Sequence, residues 1–356
     1  MPVSLPRIRA VALVLAFAAG FLLLAANAMA SSSGVLYTQT NDPAGNSVQR
    51  FARGADGSVK PAGTFATGGL GLATLGGRQG AVELSHDGRY LYAVNAGSDS
   101  VSVFRTSRKH TRLVDTVASG GVAPASIDEQ DGRVYVLNSG GTPNVTAFSS
   151  RGNGSLTAIA TRNLAPGADG AAQVSVMPDG RSLVVSERLA NRLETLPLDV
   201  FGRPGTPVVT ASSGTVPFGF GIAPQGTLVV SEAGASTVSS YRAARGGSLR
   251  AITASLAVGQ GAACWVAVSP NGRFAYTGNA AGGISGFAID RDGSLSPIGN
   301  TLLASPRDLD FDASGRYLQA ISATGQVTSY RVGSNGSLSI VDTAPAAAGI
   351  TGAAAL

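Results

Sequence analysis

Pro178-Asp179-Gly180-Arg181-Ser182-Leu183-Val184-Val185 reads as a tight turn running into a strand. Asp-Gly tolerates the positive φ that a hairpin between twisted strands demands, and Leu-Val-Val has the content of a buried strand. The phrase recurs as His86-Asp87-Gly88-Arg89, Gln130-Asp131-Gly132-Arg133, Pro224-Gln225-Gly226, Pro270-Asn271-Gly272-Arg273 and Ala313-Ser314-Gly315-Arg316. The anchor glycines Gly88, Gly132, Gly180, Gly226, Gly272 and Gly315 therefore repeat every 43 to 48 residues. A period in the forties with several strands per unit is the mark of propeller blades.

A second turn phrase sits inside most units, at Asp56-Gly57-Ser58, Asn153-Gly154-Ser155, Gly246-Gly247-Ser248, Asp292-Gly293-Ser294 and Asn335-Gly336-Ser337. Between the phrases lie segments of period two, such as Val101-Ser102-Val103-Phe104 and Val327-Thr328-Ser329-Tyr330. Each unit thus predicts a four-stranded antiparallel sheet with strands A to D from the axis outward. The Asp-Gly-Arg turn joins A to B, and the Gly-Ser turn joins C to D. Six anchors plus Gly34-Val35-Leu36-Tyr37, a strand B lacking its strand A, make seven blades. The missing strand A is expected from Ile350 to Leu356, so that strands from both ends of the chain close the ring in one blade. The fold expected is all-β, a seven-bladed propeller over residues 31–356.

Composition narrows the function. The 356 residues carry a net charge of +5, with 44% hydrophobic and 13% charged residues and one Cys. Ample apolar content excludes disorder, a lone Cys excludes a disulfide framework, and the scattered weak charge excludes a nucleic-acid surface. Residues 1–30 read as a signal peptide: Arg7 and Arg9, an apolar run from Ala10 to Ala26, then Ala28-Met29-Ala30. No Cys follows the run, and no Arg pair precedes it, which points to the general secretion route. The mature chain is expected outside the cytoplasm without a membrane span; an uncleaved anchor is the alternative.

The units resemble those of the lactonase-type seven-bladed propellers, the family of bacterial 6-phosphogluconolactonase and the carboxymuconate-lactonizing enzyme. Pro178 to Val185 and Gly293-Ser294-Leu295 carry the resemblance, which covers essentially the whole mature chain. It implies lactone chemistry at the mouth of the ring. It also implies a His in the strand A aligned with Ala172 and Pro-Arg-His where Pro217-Phe218-Gly219 stands. Glu232 and Arg192 match the remaining polar positions, and Pro306-Arg307-Asp308 echoes the motif two blades away.

In a blade, strand A starts and strand B ends share one face of the ring. The B-strand ends are Asn95, Asn138, Glu187, Glu232, Asn279 and Ser322, so two acids on adjacent blades replace amides. With Arg192 and Arg307 they form a candidate catalytic set, a carboxylate to activate water and a guanidinium to hold oxyanion charge. Asp308, Arg188, Trp265 and Phe218 are candidate ligand-binding residues, an aromatic pair for a flat ligand flanked by charge. Structural hydrogen bonds are the competing reading for each acid. Cys264 lacks a nearby His and reads as a buried hydrophobe, and His86 and His110 fall in turns on the opposite face. No metal site or cofactor is indicated.

Two functions follow. One is a secreted, monomeric binding propeller that takes a small molecule, glycan or cell-envelope protein at its mouth, with the family's His and Arg replaced. The alternative is a lactone hydrolase or lactonizing enzyme built on a rearranged Glu/Arg set.

Overall fold

Both turn phrases owe their glycines to backbone geometry. In the computed structural model, which describes residues 1, 32–73, 78–107 and 109–356, the six anchor glycines have φ between 65° and 83°. The glycines of the Gly-Ser turns have φ between 82° and 94°, a region that a side chain disfavours. The Asx residues close the same turns. Asp87 Oδ1 accepts the Arg89 N–H at 3.0 Å and Asp179 Oδ1 that of Arg181 at 3.0 Å, while Asn153 Oδ1 accepts that of Ser155 at 3.0 Å.

Residues Ser31–Leu356 form one unit of seven four-stranded antiparallel sheets. Blade 1 combines strands from both ends of the chain, and blades 2 to 7 follow at 82–118, 122–163, 171–211, 217–257, 261–301 and 306–345. The strands A are Thr351–Ala355 for blade 1, then Val82–Leu84, Val122–Gln130, Ala171–Val176, Pro217–Ile222, Gly261–Val268 and Pro306–Phe311. Each touches the next in turn, and the last touches the first, so the ring is closed. In blade 1, Thr351–Ala355 pairs with Ser32–Gln39 in the expected seam, Leu36 opposite Ala355 and Tyr37 opposite Ala354.

Burial follows the radial position of each strand. The strand B of blade 2, Tyr90–Asn95, is buried on both faces because sheets stack on either side of it. The strand D of blade 3, Leu156–Asn163, is mostly exposed. Apolar clusters fill the wedge between adjacent blades, for example Tyr92, Val94 and Val103 against Ile127, Val136 and Phe148.

Polar bonds lock the wedges in register. Tyr90 Oη donates to the Gly152 carbonyl of the next blade at 2.7 Å, and Tyr276 Oη to that of Gly336 at 2.7 Å. A side chain on Gly154 or Gly336 would collide with the aromatic ring of the preceding blade, a second reason for glycine there. Near the axis, Asp128 accepts the Val176 N–H at 2.7 Å. At the seam, Asp308 accepts that of Ala353 at 3.0 Å and Asp310 that of Ala355 at 2.7 Å. These acids act as staples between neighbouring strands A. Among the described residues, no helix is long and apolar enough to cross a membrane. The signal segment expected over 1–30 lies, Met1 apart, outside the described residues.

Candidate functional site

The B-strand end column braces each blade. Asn95 Nδ2 donates to Ser102 Oγ at 2.8 Å, and Asn138 Nδ2 donates to Asn144 Oδ1 at 2.9 Å. Both members tie the end of strand B to strand C. Glu187 and Glu232 occupy this column and are fully buried.

Glu232 is surrounded by donors of its own blade and the loop leading into it. Ser239 Oγ donates at 2.7 Å, Thr237 Oγ1 at 2.5 Å, the Gly214 N–H at 2.7 Å and Ser212 Oγ at 3.2 Å. Glu187 accepts from Arg192 Nε at 3.0 Å and from the Asp169 N–H at 3.1 Å. Burial holds its carboxyl well above the usual range, contact with the Glu194 carboxyl adds to this, and Arg192 opposes it. Arg192 spends its other donors on Glu194 at 2.8 Å and on the Ala165 and Pro166 carbonyls at 3.0 and 3.2 Å. Glu194 in turn accepts the Ala165 N–H at 3.1 Å. The Glu187–Arg192–Glu194 group thus clamps the loop entering blade 4.

The ligand-binding candidates divide. Phe218, Cys264 and Trp265 form one buried apolar cluster at the start of the strands A of blades 5 and 6. The Phe218 and Trp265 rings meet edge to face, with centroids 5.9 Å apart. The Arg188 guanidinium lies 5.2 Å from the Phe218 centroid. Arg307 instead lines a cleft with Asn41, Asp42 and Gly349, and Asp308 is the buried seam staple described above. Burial pushes the Cys264 thiol up to about 11, which keeps it protonated and unreactive at neutral pH. His86 and His110 are exposed in an A–B and a C–D turn, on the face away from this cluster.

Two residues outside the expected set complete the mouth. Arg78 stands four residues before the short strand A of blade 2, with its backbone N–H held by Thr351 Oγ1 at 2.8 Å. Its guanidinium lies 5.8 Å from the Phe218 centroid, so Phe218 carries two of them. Arg78 is only 5% exposed, and burial together with the nearby Arg188 lowers it to about 9. Gln79, its neighbour, reaches across the axis. Its amide accepts the Val266 N–H at 2.9 Å and donates to the carbonyls of Val266 at 2.5 Å and Phe220 at 3.3 Å. Gly219 admits this crossing, since a Cβ there would overlap the Gln79 oxygen and the Cys264 carbonyl.

Gln79 also lines the axial cavity, of about 340 Å³, together with Glu83, Asp128, Asp308 and Asp310. Burial raises all four carboxyls, Asp128 to about 6 and Asp310 to about 7. The axis therefore holds two chemistries, a basic aromatic mouth and an acidic channel. Sequence reasoning missed Arg78, Gln79 and Glu194. A lone Arg closing the Gly-rich stretch 68–77 was the available signal for the first two.

The lactonase seven-bladed β-propeller family model matches residues 43–159, 141–266 and 259–351. The chain belongs to that family. Among solved structures it is similar to a candidate 6-phosphogluconolactonase from Bacteroides uniformis, with TM-score 0.77 and 18% identity over 91% of this chain and 99% of that one. A counterpart from Bacteroides fragilis gives 0.76 and 17% over 92% and 99%. The periplasmic gluconolactonase of Pseudomonas aeruginosa gives 0.73 and 18% over 91% and 98%. At such identities the likeness speaks for the fold alone. Among curated proteins no match is found.

Proposed function

We propose that this chain is an extracytoplasmic member of the lactonase propeller family that binds a small molecule at the mouth formed by Phe218, Trp265, Arg188 and Arg78, without hydrolysing it. One observation carries the reading: both candidate acids are committed to structural bonds. Glu232 accepts from four groups at 3.2 Å or less, and Glu187 is clamped between Arg192 and the Asp169 N–H. A general base needs a free lone pair within reach of the water it activates.

The positions at which family resemblance implies His and Arg support the same reading. Ala172, Phe218 and Gly219 supply no proton carrier there, and Gln79 occupies the space a side chain at 219 would need. Catalytic use of Glu187, Glu232, Arg192 or Arg307 is the competing reading. Export is favoured by the pattern over residues 1–30 and by the periplasmic address in the description of the Pseudomonas aeruginosa structure.

A lactone panel tests this. Purified protein, Glu187→Gln and Glu232→Gln are assayed against γ- and δ-lactones while ring opening is followed by acid release. The proposal expects no turnover above the uncatalysed rate. Turnover by the parent that is lost in either variant would overturn it.

A further inference from the structure

The Arg78 guanidinium is anomalous for a folded protein. Among the described residues its side chain meets no hydrogen-bond partner and no carboxylate, and Nε and Nη1 are shielded from solvent. A buried charge without a counter-charge is unfavourable to the folded chain. Here a second guanidinium, Arg188, lies against the same Phe218 ring and adds like-charge repulsion. The indole Nε1 of Trp265, edge-on to Phe218, is also buried without an acceptor. Among the described residues, the Arg78 guanidinium and the Trp265 indole N–H thus meet at one aromatic ring with nothing to accept from them, while Arg188 Nε beside them donates to the Gly170 carbonyl at 3.4 Å.

From this arrangement we infer that the mouth recognises an oxyanion, a carboxylate or phosphate carried by a small ligand, with Arg78 as the residue that selects charge. The inference rests on the reading of the mouth as a small-molecule site and names the chemistry of its ligand. A neutral lactone or sugar offers dipoles, which cannot offset two guanidiniums. An oxyanion makes charge-assisted bonds with both, and Arg suits this better than Lys because its planar fork matches two oxygens at once. A ring-opened acid would accordingly bind more tightly than the lactone it comes from. Phe218 and Trp265 would cover the carbon skeleton.

The test titrates the full chain with sodium gluconate, inorganic phosphate and the uncharged polyol glucitol, read by calorimetry and by quenching of Trp265. Gluconate or phosphate should bind at least roughly tenfold more tightly than glucitol, and more weakly in 0.5 M than in 0.05 M NaCl. Binding by gluconate alone assigns a carboxylate, and binding by phosphate alone assigns a phosphate. Arg78→Met should abolish anion binding and Arg78→Lys should retain part of it. Arg188→Met, which leaves Arg78 in place, should weaken it as an independent check on folding. Equal affinity for glucitol, or full anion affinity in both Met variants, would overturn the inference. Glucitol binding that quenches Trp265 and ignores Arg78 would leave the mouth as a binding site and remove only the anion. Silence from all three probes would count against both.

Discussion

Glu232 and Arg78 sit near the same end of the ring, both buried and both bearing ionisable heads, yet their surroundings are opposite. Glu232 is met by hydroxyls and an N–H from two segments. Arg78 is met by an aromatic ring and another cation. The first is part of the frame, together with the Glu187–Arg192–Glu194 clamp and the seam staples Asp308 and Asp310. The second is costly to the folded chain until something else arrives. An acid in a mouth is thus no guide to catalysis by itself; what matters is whether its bonds are already spent.

The contrast predicts how each part responds to damage. The largest effect belongs to the seam. Deleting 350–356 removes the buried Ile350, Thr351 and Ala354, opens the edge of Ser32–Gln39, and should cost on the order of 5 kcal/mol or more by thermal or urea unfolding. Glu232→Ala comes next. It strands several buried donors at once and should cost about 3 kcal/mol, lowering Tm by roughly 5 °C or more.

A smaller effect is expected from Asp310→Asn, and it is visible in the pH dependence. Folding raises the Asp310 carboxyl from 3.8 to about 7, so the folded chain holds that proton more tightly than the unfolded chain does. Stability from this group is complete below about pH 4 and is lost as pH rises through about 7. Urea midpoints of the Asn variant measured across that window should decline less steeply than those of the parent. The smallest effect is that of Arg78→Met, whose removal breaks no side-chain hydrogen bond among the described residues and should leave stability within about 0.5 kcal/mol or raise it slightly.

The sequence announced the frame far more clearly than the mouth, and the reason is physical. Turn chemistry is local: Gly88 or Gly154 needs a positive φ whatever surrounds it, so the period, the blade number and the seam could be counted along the chain. The exchange of amide for acid at Glu187 and Glu232 was equally visible. Their partners were not, because Ser212, Gly214 and Asp169 reach them from the loops that lead into blades 5 and 4. Arg78 was hidden by register. The strand A that follows it has only three residues and starts at Val82, so Arg78 stands four residues ahead of the strand start. Gln79 bonds to blades on the far side of the axis, a contact that no local pattern encodes.

The claim that the frame is satisfied while the mouth is not can be tested in one calorimetric comparison. Parent protein and Arg78→Met are unfolded thermally with and without 10 mM sodium gluconate, and again with phosphate. Without anion the variant should melt at or above the parent; with the anion that binds, the parent should rise by a few degrees and the variant should not move. A variant that melts well below the parent in plain buffer, with neither protein responding to either anion, would show that Arg78 belongs to the frame and would contradict the account.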